Sequence, residues 1–315
     1  MENERVARAL INGMASVIRG KQDFIENFII TVLARGHLLL EDFPGLGKTT
    51  AAKTFARLIS DSEGSVLTFK RIQFTPDLLP YDITGVDIFD TESRSFRFVP
   101  GPIFANIVLA DEINRTTPKV QSALLEVMAE GQVTVGNVTR RPADHFMVIA
   151  TQNPVESEGI FPLPVAELDR FMMRLSLGYP EREAELSVLN ENPSERLLPL
   201  VKPIVTTQDL RSAQDATDEI FCHPDLKGAI ADIVRSTRTA KGVILGASPR
   251  AGLHLLRAAK AAALVRGRYF VTDEDILSMA PLVLAHRLKV RDPRSRPELL
   301  IRELAFEHLE HHKTS

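Results

Sequence analysis

The chain has 315 residues with 44% hydrophobic and 25% charged content, ordinary values for a globular protein of one to two domains. A formal net charge of −3 and the lack of a long basic run argue against sequence-independent binding of nucleic acid. The single cysteine, Cys222, excludes an intramolecular disulfide and a Cys-x-x-Cys motif and reads as a core or half-buried thiol. At the start, Met1-Glu2-Asn3-Glu4-Arg5 carries two acids and no apolar run, which speaks against a secretory signal. Residues 5–18 and 21–34 have helical spacing, with Phe24, Ile25, Phe28 and Ile29 as a stripe. The longest apolar stretch, 28–34, is interrupted by Thr31 and is far shorter than the roughly 20 residues that span a bilayer. A cytoplasmic protein with no membrane span is expected.

Gly36 ends the second helix, and His37-Leu38-Leu39-Leu40 reads as a buried strand. A glycine-containing loop and a helix over 49–59 follow. Further strands are expected at 65–69, 107–110 and 146–150, with a fifth at 175–177, and helical patterns such as 117–129 lie between them. Strands alternating with helices predict an α/β fold, a mostly parallel five-stranded sheet covered on both faces. Functional residues then belong beyond the carboxyl ends of the strands. Two stretches depart from the alternation and read as hairpins: 86–98, turning at Asp90-Thr91-Glu92-Ser93, and 132–140, turning at Gly136-Asn137.

The character changes after Pro180. Residues 191–203 contain Pro193, Pro199 and Pro203 and suit a linker. Thr207 and Ser248-Pro249 read as helix starts, Thr272 with Asp275 as a capping box, and 258–263 as strongly helical. The expected division is a core over 1–190 carrying the two hairpins, a linker over 191–203 and a smaller all-α domain over 204–315. His308, His311 and His312 read as a solvated tail rather than a metal cluster.

Three motifs carry chemistry. In Pro44-Gly45-Leu46-Gly47-Lys48-Thr49, the glycines let the backbone wrap a polyphosphate, the following helix offers its positive end, Lys48 places a charge at the β/γ phosphates and the Thr49 hydroxyl ligates Mg²⁺. Thr50 continues the contact. The standard spacing begins with glycine, and here Asp42 stands in that place. Second, the apolar run 107–110 ends in Asp111 and Glu112. Two adjacent acids alone read as a solvated strand end. After a phosphate loop, Asp111 is placed to hold Mg²⁺ through water and Glu112 to orient and deprotonate an attacking water. Third, Asn153 follows the next strand and can help position that water, although Asn-Pro is also a common turn. ATP and Mg²⁺ are the expected cofactors.

With these residues in place, the sequence resembles the MoxR family of AAA+ ATPases. The likeness runs through Arg35-Gly36-His37-Leu38-Leu39-Leu40-Glu41 and the phosphate loop (Walker A), Ala110-Asp111-Glu112-Ile113-Asn114-Arg115 (Walker B) and Ala150-Thr151-Gln152-Asn153-Pro154 (sensor 1). It continues in 71–80, in Phe161-Pro162-Leu163-Pro164 and in Leu168-Asp169-Arg170-Phe171. The resemblance implies an AAA+ P-loop αβα core followed by a helical lid. It implies that Arg170 is an arginine finger acting on a neighbouring subunit's nucleotide, with Arg174 as the competing candidate, and hence an oligomer, expected to be a hexameric ring. It further implies that Arg250 is the sensor 2 contact to the γ-phosphate and that Val17, Ile18 and Gly20 line the adenine pocket. The hairpins resemble family insertions that face the ring interior or partners. A partner with a von Willebrand factor A domain is expected, in a chaperone-like maturation role. An ATP-controlled assembly switch or scaffold, a chelatase motor subunit for metal insertion and a DNA-remodelling ATPase are the competing functions.

Overall fold

The computed structural model describes residues 2–154, 159–292 and 294–313, with side chains described to residue 310. Two helices open the chain, α1 (Glu2–Ala15) and α2 (Gln22–Leu33). The core then lays down β1 (Leu38–Glu41), α3 (Lys48–Arg57), β2 (Phe69–Gln73), β3 (Ile107–Asp111), α4 (Pro118–Glu130), β4 (Met147–Gln152) and β5 (Met173–Leu175). These five strands form one parallel sheet in the order β5-β1-β4-β3-β2.

Alternate residues feed opposite faces, as the two-residue period of a strand requires. Leu38, Leu40, Ile107, Leu109, Met147 and Ile149 pack under α1, α2 and α3. Leu39, Val108, Ala110, Val148 and Ala150 pack against Val120 and Leu124 of α4 and against Phe171. Both faces are covered, so the inner strands are apolar throughout rather than alternating.

Two strands depart from the sequence reading. The second strand lies at Phe69–Gln73, not 65–69, because it is the sheet edge, where only Ile72 is buried and its polar composition conceals it. The fifth spans Met173–Leu175, ending where the expected strand began. The hairpins stand as expected, Gly85–Asp90 with Ser95–Pro100 and Val133–Val135 with Val138–Arg140. They brace each other: Arg140 pairs with Asp87 at 3.4 Å and lies over the Phe98 ring. Phe89 and Phe96 remain exposed at the first hairpin's tip.

After β5 come α5 (Arg182–Glu191), α6 (Thr207–Asp218), α7 (Pro224–Thr239), α8 (Pro249–Val265), α9 (Asp273–Leu284) and α10 (Pro297–Lys313). The stretch 191–203 holds short helical turns at Pro193–Arg196 and Leu198–Leu200. Thr206, not Thr207, caps α6, with Asp209 completing the box, whereas Ser248 and the Thr272/Asp275 box are as expected. The lid is mostly helical rather than all-α: a small ribbon pairs Val243–Leu245 with Lys289–Val290, and Val205–Thr206 pairs in parallel with Ile59–Ser60 of the core. It shares one apolar cluster with α1, α2 and α3. His308 is not in a solvated tail: it lies in α10 and its Nε2 meets Ser236 Oγ at 2.7 Å. The side chains of His311 and His312 lie outside the described residues. Cys222 is buried, and burial pushes its thiol pKa up. Among the described residues no helix is long and apolar enough to cross a membrane.

Candidate functional site

The carboxyl ends of β1, β3 and β4 meet at one cleft. Gly45 and Gly47 have φ of 84° and 90°, a region costly for side-chain-bearing residues. A Cβ on either would meet nothing within 4 Å, so the loop leaves open room for an anion against its backbone. Gly47 caps α3, which directs the helix's free N–H groups and positive end toward that room. A cavity of about 220 Å³ there is lined by Pro44, Gly45, Gly47, Lys48, Thr49, Arg71, Asp111, Glu112, Thr151 and Asn153. Lys48 is folded back on its loop, donating from Nζ to the carbonyls of Asp42 (2.9 Å) and Phe43 (3.1 Å).

Asp42 is an anchor. It is buried and its carboxylate accepts from Ser176 Oγ (2.6 Å), Leu177 N (2.6 Å) and Gly178 N (3.0 Å). A glycine there would leave these donors without an acceptor. The residues expected as a fifth strand instead tie the phosphate loop to the turn after β5.

The acidic pair is held by neighbours on both sides. Asp111 Oδ1 accepts from Thr151 Oγ1 (2.6 Å), which itself accepts from Glu112 N (2.8 Å). Asp111 Oδ2 accepts from Arg71 Nε (3.0 Å) and Nη2 (2.6 Å). Glu112 has φ 56° and ψ 49°, a left-handed turn costing about 1–2 kcal/mol for a non-glycine residue. It accepts from Gln73 Nε2 (2.7 Å) and pairs with Arg115 (3.1 Å). A hydroxyl and a carboxylate, Thr49 and Asp111, are the oxygen donors a hard cation such as Mg²⁺ takes. On these donors the site fits Mg²⁺ with a nucleotide, although the Arg71 guanidinium already rests against Asp111.

A second cavity of about 480 Å³ shares Pro44, Gly45 and Gly47 with the first and adds Val17, Ile18, Leu46, Thr50, Leu177, Tyr179, Pro180 and Leu189. Its apolar walls suit a flat base. Gly20 does not line it. A Cβ there would stand 2.6 Å from Ala184 Cβ, so this glycine permits close approach of α5 instead.

Arg170, Arg174 and Arg250 line neither cavity. Arg170 follows the short helix Val165–Leu168, donating from Nη1 to the Ala166 carbonyl (3.3 Å). Its Nε is buried and has no acceptor among the described residues. Arg174 is engaged internally with Glu41 (2.9 Å) and Glu298. Arg250 is exposed in the first turn of α8, after the cap Ser248. Sequence reasoning passed over Arg71, Gln73 and Thr151 as site residues. The first two sit on the edge strand it misplaced. Thr151 follows Ala150, the register partner of Ala110, so pairing of the two strands would have set it beside Asp111.

The chain is similar to known proteins. The model of the ATPase family associated with various cellular activities (AAA) matches residues 37–173, and that of the AAA lid domain matches 235–304. The uncharacterized protein YeaC of Bacillus subtilis is 44% identical over 292 residues, 91% of this chain and 89% of its own. Chaperone MoxR1 of Mycobacterium tuberculosis is 42% identical over 281 residues, 86% of this chain and 72% of its own. A crystal structure from Cytophaga hutchinsonii superposes with a TM-score of 0.86 at 36% identity, covering 96% of this chain and 94% of that one. With the phosphate loop, acidic pair and lid in their places, the chain belongs to the MoxR family of AAA+ ATPases.

Proposed function

We propose that the protein hydrolyses ATP with Mg²⁺ and, as a hexameric ring, remodels or matures a partner protein. The observation that carries this reading is the convergence of Lys48, Thr49, Asp111, Glu112 and Asn153 on one cleft. Mg²⁺ with the triphosphate supplies an electrophilic γ-phosphoryl group whose negative charge must be neutralised. The loop amides and Lys48 hold the phosphates, Thr49 and Asp111 hold the metal, Glu112 takes the proton of the attacking water, and Asn153 orients that water. Val17, Ile18, Leu46, Thr50 and Tyr179 receive the base.

Arg170 is the finger in this reading, and Arg250 contacts the γ-phosphate when the lid closes. Internal pairing of Arg174 favours Arg170 over it. The core over 1–190, the linker over 191–203 and the lid over 204–315 are the working units. The paired hairpins, with Phe89 and Phe96 exposed, face the client, and a von Willebrand factor A domain protein is the partner class. The name of the Mycobacterium tuberculosis relative, a chaperone, supports the remodelling role. Intact Glu112 and Arg170 favour hydrolysis over a pure assembly switch.

Steady-state phosphate release from wild type, Lys48→Ala and Glu112→Gln tests the reading. Both substitutions should abolish turnover, Lys48→Ala by weakening nucleotide binding and Glu112→Gln with binding retained. Equal rates from all three would sink the mechanism.

A further inference from the structure

One carboxylate joins the lid to the segment that carries Arg170. Asp169 immediately precedes Arg170, and its Oδ1 accepts from Arg287 Nε at 2.8 Å while its Oδ2 accepts from Ser248 Oγ at 2.9 Å. Both donors belong to the lid. Ser248 caps α8, the helix whose first turn bears Arg250. Arg287 is 1% exposed and spreads its guanidinium over the same core segment. Nη2 donates to the Phe171 carbonyl at 2.6 Å and Nη1 to the Met172 carbonyl at 3.4 Å. Its Nη2 also donates to His254 Nδ1, on α8 one turn beyond Arg250. The chain on both sides of Arg170, the Asp169 side chain before it and the Phe171 and Met172 carbonyls after it, is therefore held by lid groups, and the same groups fix the start of α8.

A buried arginine is costly to desolvate and is retained where a carboxylate and several carbonyls satisfy its fork. Here the fork is spent on the core–lid junction beside a side chain that lines neither nucleotide cavity of its own subunit. We propose that Asp169, clamped by Arg287, is a positioning residue that makes the aim of Arg170 toward a neighbouring subunit follow the position of its own subunit's lid. This rests on the reading of Arg170 as a finger. It adds a route by which nucleotide bound under one lid sets catalysis in the next subunit.

The test uses the full chain with Asp169→Asn and, from the other side of the clamp, Arg287→Lys. Arginine-to-lysine keeps the charge and loses the fork. Misplacing a catalytic group by an ångström costs about 10²-fold in rate, so kcat should fall by about that factor while KM for ATP is unchanged. Each variant is then mixed with Glu112→Gln subunits, which bring an intact Arg170, and with Arg170→Ala subunits, which do not. Recovery with Glu112→Gln and none with Arg170→Ala is expected. The reverse pattern, a rise in KM without loss of kcat, or exclusion of both variants from mixed rings overturns the proposal. An Arg170→Ala and Glu112→Gln mixture serves as the control. If it recovers while the clamp variants do not, only the clamp falls, and if it fails, the finger reading falls with it.

Discussion

Arg71 places two donors on one carboxylate oxygen of Asp111, at 3.0 and 2.6 Å, so the acid proposed to hold the metal is already neutralised by a side chain of the edge strand. The next residue on that face, Gln73, accepts from Arg71 Nη2 through Oε1 at 2.6 Å and donates to Glu112. Both members of the acidic pair are thus engaged by β2. An entering cation and Arg71 compete for the same oxygen.

Replacing Arg71 by Met should therefore lower the Mg²⁺ concentration needed for half-maximal nucleotide binding. The guanidinium is half exposed, and such ion pairs are worth up to about 1 kcal/mol, so the shift should be no more than about fivefold. A Mg²⁺ titration with a fluorescent nucleotide measures it. An unchanged or raised requirement would show that Arg71 serves the bound state instead.

Asp42 gives a stability prediction. Asp42→Gly restores the standard loop spacing but strips the acceptor from Leu177 N, Gly178 N and Ser176 Oγ. Leaving a buried donor unsatisfied costs about 1–3 kcal/mol, so the unfolding free energy from urea titration should fall by about that amount, with a lower midpoint. Nucleotide affinity should weaken too, because the loop is no longer tied to the turn that leads to Tyr179. A variant as stable as wild type would remove Asp42 as the anchor.

Acid stability follows from three histidines held neutral. Burial pushes His37 down to about 4 and His254 to about 3, with Arg287 adding to the effect on His254, and His286 is also depressed. His254 Nδ1 accepts from Arg287, a contact its protonation would destroy. Above pH 6.5 these residues are neutral folded or unfolded. As pH falls below that, the unfolded chain binds protons that the native chain refuses, and stability declines toward the folded pKa values by about 1.4 kcal/mol per pH unit for each histidine. Denaturant midpoints at pH 7 and pH 5 should differ accordingly. His254→Asn, which keeps an acceptor for Arg287 without titrating, should flatten the decline by one histidine's share; an unaltered slope would remove His254 from the account.

By itself the sequence determined the features that local chemistry dictates. Gly45 and Gly47 mark a loop because positive φ is a property of the residue, and the apolar runs ending in Asp111-Glu112 and Asn153 mark buried strands because both sheet faces are covered. The caps at Ser248 and Thr272 and both hairpin turns are equally local. Tertiary structure decided what depends on a distant partner. Asp42 looks like a flaw in the loop until Leu177, 135 positions later, supplies its donor. Phe69–Gln73 has the composition of an exposed segment because it is an edge, and only its pairing with β3 brings Arg71 and Gln73 to the acids. Asp169 is one acid in a motif until Arg287, 118 positions on, is buried against it. Backbone preference is written in each residue, whereas the satisfaction of a buried charge is settled only when the chain brings its counterpart into contact.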